Sequence, residues 1–204
     1  YQWILLGYDD IKSIKTAVKN KELNVSNSIE KSLTYYNDLK KKIPRAEMTK
    51  WLNYLIKLFS IWSNYTIELA GSYSMGKNQS KDIDLLIIQE SGVKYTTKHA
   101  IEILSNNNVL IDIVNKSSKS ALLFVKMDNK PVRHMDLRII NRSIYPFYIL
   151  YFGSGAVFSR DIRRHAKNLG YKLTDNGLYY INGQRVRKTF KTKEEIIDYL
   201  NYKN

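Results

Sequence analysis

Residues 71–88 read GSYSMGKNQSKDIDLLII, a small polar turn followed by two aspartates one residue apart at the start of an apolar run. Side chains alternate between the two faces of a strand, so Asp82 and Asp84 are expected on one face and Ile83 on the other. The run is apolar on both faces, which predicts a central strand. Two carboxylates placed together raise each other's pKa unless a cation compensates their charge. The stretch therefore predicts a site for a hard cation such as Mg²⁺.

The residues before the aspartates fit the same chemistry. Gly71 and Ser72 follow a predicted strand at 65–70, and nine residues separate them from Asp82. Glycine permits a close backbone approach, and a serine hydroxyl with free N–H groups can hold phosphate oxygens. Alone, a Gly-Ser pair is typical of an ordinary turn, and a lone Asp-x-Asp of a solvated strand end. Their ordered combination on a hydrophobic strand is much more specific.

A third carboxylate is expected on a neighbouring strand, and two aspartates qualify. Asp112 lies in LIDIV, and Asp136 lies in HMDLRII. Asp136 has Arg138 on its own strand face as a local partner, whereas Asp112 has none. Asp112 is equally well explained as an edge-strand or strand-end residue. We therefore choose Asp136 as the third member of the site.

The composition favours a polyanionic partner. The 204 residues include 33 Lys and Arg against 19 Asp and Glu, a formal net charge of +14. A solubilising surface would explain this charge, but it also matches the electrostatic footprint of nucleic-acid binding. The sequence contains neither a long basic amphipathic segment nor an apolar run near the roughly 20 residues that span a bilayer. Cysteine is absent, which excludes disulfides, thiolate catalysis and Cys-ligated zinc.

The periodicity of the apolar residues predicts alternating helices and strands. Helical spacing is found at 9–21, 26–42, 48–62, 146–152, 156–170 and in a last helix after Thr192. Strand patterns are found at 65–70, 85–88, 109–114, 121–126, 133–140 and 178–181. The central region therefore predicts a mixed α+β sheet with helices on one face.

These motifs resemble DNA polymerase family X, the family of DNA polymerase beta-like enzymes. The resemblance rests on GS followed by DIDLLI, on MDLRI, and on YILYFGSGAVFSRDIRRHAKNLGY, with support from YYNDLKKKIPRAEM and EEIIDYLNY. It covers residues 8–204 and implies an α+β fold around a nucleotidyltransferase palm with a mixed sheet. The palm would occupy residues 46–142, after a partial helical DNA-binding subdomain at 1–45. A small C-terminal α+β subdomain at 143–204 would bind nucleotide and template.

The resemblance implies a template-directed DNA polymerase that adds dNTPs to a primer 3′-end and fills short gaps in DNA repair. Asp82 and Asp84 would bind two Mg²⁺ ions, for which Mn²⁺ can substitute. Asp136 would bind the catalytic ion and accept the proton of the primer 3′-hydroxyl. The implied partners are dNTPs and gapped or primer–template DNA. We expect a monomer inside the cell, in the nucleus or a viral replication compartment, with no membrane association and no secretion.

The resemblance also assigns nucleotide and DNA contacts. Nucleotide contacts would fall on Gly71, Ser72, Lys42, Tyr151, Phe152 and Ser154. DNA or template contacts would fall on Arg138, Ser159, Arg160 and Arg163. Tyr151 and Phe152 would lie beside the incoming sugar and disfavour a 2′-hydroxyl, and Arg163 would support the templating base pair from the minor-groove side.

Several positions depart from the family pattern. Met75 stands where a second triphosphate-binding arginine is common, and His134 replaces an arginine beside the third aspartate. YFGSG at 151–155 replaces Tyr-Phe-Thr-Gly-Ser, so that Ser154 stands where a glycine permits an unusual backbone. The family's lyase domain and its Schiff-base lysine have no counterpart, which predicts a reduced form or a fragment. A bias toward Lys, Asn, Ile and Tyr is compatible with a large DNA virus.

Two other functions stay open. A terminal transferase, or a nucleotidyltransferase acting on RNA, would use the same carboxylates without a template. Arg163 and the basic region 156–204, with 11 Lys and Arg against 5 Asp and Glu, argue against it. A catalytically inactive DNA-binding module belongs to a different class. It is disfavoured because all three carboxylates are retained.

Overall fold

The computed structural model describes residues 2–203, and within that range the chain forms nine strands and ten α-helices. The strands are β1 (Ile43–Pro44), β2 (Tyr65–Leu69), β3 (Gln79–Ser80), β4 (Ile83–Gln89), β5 (Leu110–Lys116), β6 (Ser120–Val125), β7 (Arg133–Asn141), β8 (Tyr171–Thr174) and β9 (Gly177–Tyr180). The helices are α1 (Gln2–Leu5), α2 (Ile11–Lys19), α3 (Asn27–Thr34), α4 (Tyr36–Leu39), α5 (Arg45–Leu58), α6 (Gly71–Ser74), α7 (Thr97–Asn106), α8 (Tyr145–Phe152), α9 (Ala156–Asn168) and α10 (Lys193–Tyr199). None of these described helices has the length and apolar character needed to cross a bilayer.

Five of the strands form one mixed sheet. Its order is β2-β4-β7-β6-β5, in which β4 and β7 are parallel and the other neighbours are antiparallel. Leu85 and Ile87 on one face of β4, and Leu86 and Ile88 on the other, are each at most 1% exposed. The predictions of a mixed sheet and of a strand buried on both faces are therefore confirmed.

Helices α5 and α7 cover one face of this sheet. The buried residues of α5 are Met48, Trp51 and Leu55, and Phe59 continues their stripe in the following 3₁₀ turn. They pack with the odd-numbered apolar residues of β4 and β7, which strand alternation places on this side. The predicted helical stripe from Met48 onward thus forms the main core of the protein.

The opposite face of the sheet is divided between a helix and the charged residues. Leu86, Ile88 and Ile140 are buried there by Tyr148 of α8. The expectation of helices on one face only is therefore wrong, because the apolar half of the second face also has to be covered. Nearer the amino-terminal end of β4, the same face carries the aspartates.

The helices of the N-terminal region are shorter than predicted. Asp10 caps α2, its Oδ1 atom accepting from the Ser13 N–H at 2.6 Å. The predicted helix at 26–42 is divided at Tyr35, whose backbone leaves the helical region at φ −98° and ψ 14°. The Tyr35 ring packs edge-on against Phe124 of β6, with ring centroids 5.2 Å apart. A tertiary contact therefore coincides with the break.

Helix α7 and strand β8 were missed. Strand β8 has four residues, whereas α7 has ten, and its buried residues Thr97, Ala100, Ile101 and Leu104 recur at helical spacing. Short helices take most of their stability from packing, and α7 buries these residues against the sheet.

An ion pair joins the N-terminal helices to the edge of the sheet. Lys31 of α3 contacts the Oδ1 atom of Asp112 at 2.7 Å and donates to the carbonyl of Ile113 at 2.7 Å. Asp112 lies on the edge strand β5, which agrees with its interpretation as an edge-strand residue. It is engaged in docking α3 and is remote from Asp136 along the sheet order.

The C-terminal elements have a core of their own. Buried residues of α8, α9 and α10 pack with those of the β8–β9 hairpin, and they include Phe147, Ile162, Leu178 and Ile196. Thr192 caps α10 by accepting from the Glu195 N–H at 3.2 Å. Glu195 accepts from the Lys191 N–H at 2.8 Å instead of completing the predicted capping box.

A buried ion pair fixes the start of α5 against β7. Arg133 is 3% exposed, and it donates to both carboxylate oxygens of Glu47, from Nε at 2.9 Å and from Nη2 at 2.8 Å. Its Nη1 atom donates to the Lys41 carbonyl at 2.7 Å. A charge this deep needs all its partners, because unpaired buried charges are costly.

We therefore expect Glu47→Gln to lower the free energy of unfolding by about 3–5 kcal/mol, because it leaves the Arg133 charge buried without a counter-ion. Urea denaturation measures the change. Asp161→Asn is the control, since it removes an exposed pair with Arg164 and should cost about 0–1 kcal/mol. Equal losses in the two variants would contradict the assignment.

Candidate active site

The three predicted aspartates come together on the second face of the sheet. Asp84 of β4 and Asp136 of β7 are direct partners in the parallel register. Asp82 directly precedes β4 and is exposed, whereas the other two are half-buried. The strand pairing thus brings together residues that are far apart in the sequence, as the choice of Asp136 requires.

The three charges act on one another. Burial first, and then the charges of Asp82 and Asp136, raise the pKa of Asp84 to about 6, with Arg138 opposing the shift. A cation bound beside the three acids would stabilise the ionised form of Asp84. Carboxylate oxygens are also the ligands that Mg²⁺ prefers. The donor set therefore fits a divalent ion.

Arg138 is the cation that the described residues themselves supply to this site. Its Nε atom lies 3.2 Å from Oδ1 of Asp136, and its Nη2 atom lies 3.4 Å from Oδ2. Its guanidinium also lies 6.0 Å from the centre of the Phe152 ring. Within residues 2–203, no three His, Asp or Glu side chains are gathered closely enough to hold a metal in this conformation. The two-ion site stays a prediction.

The Gly-Ser turn lies directly against Asp84. Gly71 begins the short helix α6 with φ +58°, a conformation that favours glycine. A Cβ atom at this position would collide with the Oδ2 atom of Asp84. The Ala70 N–H donates to the Asp84 carbonyl at 2.9 Å, so backbone and side chain are both in contact. The close approach that the sequence predicted for Gly71 is thus an approach to a carboxylate.

The aromatic pair of α8 is held by two arginines. Arg163 donates from Nη1 to the Tyr151 hydroxyl at 3.0 Å, and its guanidinium lies 4.5 Å from the centre of that ring. Its Nε atom donates to the Ser159 carbonyl at 2.8 Å. Phe152 is 36% exposed and faces Arg138. The structure therefore connects the predicted template-binding Arg163 to the predicted sugar-binding Tyr151.

Four other predicted contact residues differ in their exposure. Ser159 is 3% exposed inside the C-terminal core, which argues against the predicted DNA contact. Arg160 is exposed on α9, and Lys42 is exposed just before β1. The Ser154 hydroxyl donates to the Ile149 carbonyl at 3.5 Å, at the end of α8.

The structure also shows the surroundings of Met75 and His134, two positions that depart from the family pattern. Met75 is 36% exposed at the end of α6. His134 shares the face of Asp136 and stacks on Phe124, with ring centroids 4.7 Å apart. Burial lowers the pKa of His134 against the opposing charge of Asp82. Its Nε2 atom is buried and finds no partner among the described residues.

The sequence did not indicate two further residues of the site. Tyr148 is 7% exposed beside Arg138, and burial raises the pKa of its hydroxyl far above the ordinary value. Arg45 binds the turn that begins at Gly71. Both lie in stretches that carry the family resemblance, but the sequence assigned neither of them a role, and only the folded chain shows that they reach the site.

Comparisons with known proteins point to one family. The family model described as DNA polymerase beta palm matches residues 42–142, and the one described as DNA polymerase beta thumb matches residues 148–203. A crystal structure of Leishmania infantum polymerase beta, described as a ternary P/T complex, shares the fold with a TM-score of 0.85. That likeness covers 97% of this chain and 87% of the other at 16% identity.

Two curated proteins are related in sequence. DNA polymerase lambda of Arabidopsis thaliana is 23% identical over 208 residues, which cover 91% of this chain and 39% of the relative. DNA nucleotidylexotransferase of Xenopus laevis is 24% identical over 220 residues, which cover 87% of this chain and 42% of the relative. The chain thus spans about two fifths of the length of these curated relatives.

The raised pKa of Asp84 predicts a pH-dependent destabilisation. The folded state binds the proton more tightly than the unfolded chain, so the cost is absent near pH 4, grows between pH 4 and 6, and is complete above pH 6. In EDTA at pH 7, Asp84→Asn should therefore be about 2 kcal/mol more stable than the wild type, and the gain should vanish near pH 4. Urea denaturation across this range measures it. Asp198→Asn, an exposed substitution on α10, is the control and should give the same difference from the wild type at every pH. If the gain for Asp84→Asn were independent of pH, the raised pKa of Asp84 would not be its cause.

Proposed function

The chain belongs to the DNA polymerase beta-like family X, and on that premise we propose that it is a template-directed DNA polymerase that fills short gaps during DNA repair. It would add dNTPs to the 3′-end of a primer paired with a template. The observation that carries the proposal is the register of Asp84 and Asp136 on one face, with the Gly71 turn against Asp84. The fold, the carboxylates and the net charge of +14 all suit a phosphoryl transfer on DNA.

The aspartates are the residues that would hold the metal ions. Asp82, Asp84 and Asp136 would bind two divalent ions, which would supply charge neutralisation for the attacking and leaving oxygens. Mg²⁺ is the ion we propose, because the donors are carboxylates and the substrate carries phosphates.

The reaction is a displacement at the α-phosphorus of a dNTP. The primer 3′-oxygen forms the new P–O bond, the bond to the bridging oxygen of pyrophosphate breaks, and pyrophosphate leaves. The hydroxyl proton passes to the carboxylate of Asp136. Arg138 donates to both oxygens of that carboxylate in this conformation, so it would compete with the metal ions and the proton for them. The protein's task is positioning and charge neutralisation.

The remaining residues would bind and orient the substrates. Gly71 and Ser72 would hold the triphosphate, with Lys42 as an exposed cation directly before β1, the strand that pairs with β3 after the Gly71 turn. Tyr151 and Phe152 would lie beside the sugar. Arg163, which donates to the Tyr151 hydroxyl in this conformation, would support the templating base. The exposed Arg160 would contact the DNA backbone.

A template-independent activity is the second candidate. It is favoured by the sequence similarity to DNA nucleotidylexotransferase of Xenopus laevis. The same three carboxylates would serve both reactions, because the chemistry at the primer end is shared. The two candidates differ in whether a paired template is needed.

Removing the third carboxylate tests the chemistry. We expect Asp136→Ala to lower single-nucleotide incorporation on gapped DNA by about 10³-fold or more, because several kcal/mol of charge stabilisation depend on it. Asp112→Ala is the matched control, an aspartate of the same sheet that should stay within about twofold because it lies on the edge strand β5, two strands from Asp136, and pairs with Lys31 of α3. Undiminished incorporation by Asp136→Ala would overturn the mechanism.

A comparison of three DNA substrates tests the template requirement. With Mg²⁺ and all four dNTPs, gapped and recessed primer–template DNA should be extended with the nucleotide that the template specifies. A single-stranded primer should not be extended. Comparable extension of the single strand would replace the first candidate with the second, and no incorporation with Mg²⁺ or Mn²⁺ would support an inactive DNA-binding module.

A further inference from the structure

The C-terminal hairpin has a third strand-like segment along its edge. The Val186 N–H donates to the Leu178 carbonyl at 2.9 Å, and Tyr179 is paired with Arg185 in an antiparallel bridge. Residues 184–186 thus lie beside β9, which pairs with β8 on its other side. The three segments form a small sheet with two faces, because side chains alternate along each segment.

One face of this small sheet is part of the C-terminal core. Its members, each at most 7% exposed, are Leu173, Leu178 and Val186. Paired residues share a face, so Lys172, Tyr179 and Arg185 lie in a row on the opposite side. We call this row the outer face. Lys172 and Arg185 are exposed and Tyr179 is half-buried, so the outer face presents an aromatic ring between two cations.

The ring and the guanidinium of the outer face meet over Gly177. A Cβ atom at Gly177 would lie 3.1 Å from Nε of Arg185 and 3.4 Å from Cε2 of Tyr179. The Nη2 atom of Arg185 also donates to the Asn176 carbonyl at 3.2 Å. Because position 177 has no side chain, both groups lie close to the backbone of the hairpin. The aromatic and the cationic group are therefore neighbours on an open surface.

Tyr179 differs from the other tyrosines of the hairpin. Tyr171 and Tyr180 contact each other with ring centroids 5.5 Å apart, and Tyr171 also contacts Tyr199 at 6.0 Å. Among the ring pairs of residues 2–203, none includes Tyr179. The exposed part of its ring is thus free to stack on a group from outside the chain.

The segment that follows β9 is strongly basic. Residues 182–193 contain five Lys and Arg and no Asp or Glu. Within the described part of the chain, Lys193 alone among these five is in an ion pair, 3.9 Å from Glu194. Exposed cations also keep proteins soluble, but here they surround an aromatic ring on a sheet. Rings that stack on bases, beside cations that bind phosphates, are the groups that hold single-stranded nucleic acid.

We propose that the outer face binds single-stranded DNA, with a base stacked on Tyr179 and phosphates bound by Lys172 and Arg185. The strand that we assign to it is the unpaired template, because Thr174 of β8 lines a crevice together with Arg163. Arg163 is the residue proposed to support the templating base. The identity of the strand rests on the proposed polymerase function, whereas the binding of single-stranded DNA does not.

The stacking is tested with two short labelled strands, a thymidine decamer and an abasic strand of the same length. Tyr179→Leu should weaken binding of the decamer about tenfold and leave that of the abasic strand within about twofold, since only the decamer has bases to stack. Tyr179→Phe keeps the ring and should bind both strands like the wild type. Fluorescence anisotropy measures each Kd. Equal losses for the two strands in Tyr179→Leu, or no loss for either, would overturn the stacking role.

The cations are tested by the salt dependence of the same binding. Each phosphate contact to a single strand contributes about 0.7 to the slope of log Kd against log salt concentration, so Lys172→Gln and Arg185→Gln should each lower the slope by about that amount. Lys98→Gln, which changes an exposed lysine of α7, is the matched control and should keep the wild-type slope. Both outer-face changes are at exposed positions, so they also serve if Tyr179→Leu does not fold. A wild-type slope in both would overturn the role of the cations.

Primer extension tests the identity of the strand. On a template with about ten unpaired nucleotides ahead of the primer, Tyr179→Leu should raise the KM for DNA about tenfold. With a single unpaired nucleotide the KM should stay that of the wild type, because no further base can reach the outer face. Equal effects on the two templates would overturn the assignment to the unpaired template. A wild-type protein that extends no primer would contradict the polymerase function, while the anisotropy data would still decide whether the outer face binds single-stranded DNA.

Discussion

The parallel pairing of β4 with β7 is the constraint on which the rest of the structure depends. In this register Leu85 faces Leu137 and Asp84 faces Asp136, one pair on each side of the sheet. A slip of one residue would move the leucines to the charged face and the aspartates into the core. The packing of α5 and α7 therefore fixes the carboxylate pair, although neither helix contributes a carboxylate to it.

This arrangement carries an electrostatic cost that the surrounding residues partly offset. Asp84 is driven toward its neutral form by burial and by its two neighbours. Arg138 binds Asp136 and lowers the local negative charge. Gly71 leaves room for the Asp84 carboxylate because it has no side chain of its own. The guanidinium of Arg138 and the absence of a side chain at Gly71 thus allow the three aspartates to lie close to one another. A bound metal cation would lower the electrostatic cost further.

Local patterns account for what the sequence could predict, and long-range contacts account for most of what it could not. Alternation along 83–88 predicted the central strand, and helical spacing from Met48 onward predicted the main core helix. Both elements are deeply buried, so their apolar residues follow the period of a strand or a helix closely. The pairing of Lys31 with Asp112 joins residues 81 positions apart and has no sequence signal. The burial of Ser159 likewise depends on how α9 packs, which the motif around it does not reveal. Helix α7 was missed although its buried residues Ala100, Ile101 and Leu104 recur at helical spacing, so a local signal was present there.

The segment 41–47 connects the two halves of the site. Lys41 and Glu47 bind Arg133 at the start of β7, three residues before Asp136. Between them, Ile43 and Pro44 pair with β3 and Arg45 holds the turn that begins at Gly71. The strand that presents the third carboxylate and the turn that would receive the triphosphate are therefore anchored to the same seven residues. Because Arg133 and Arg45 use different partners, removing one should loosen one half of the site and leave the other in place. A segment without a carboxylate ligand can thereby set the distance between the Gly71 turn and the third aspartate.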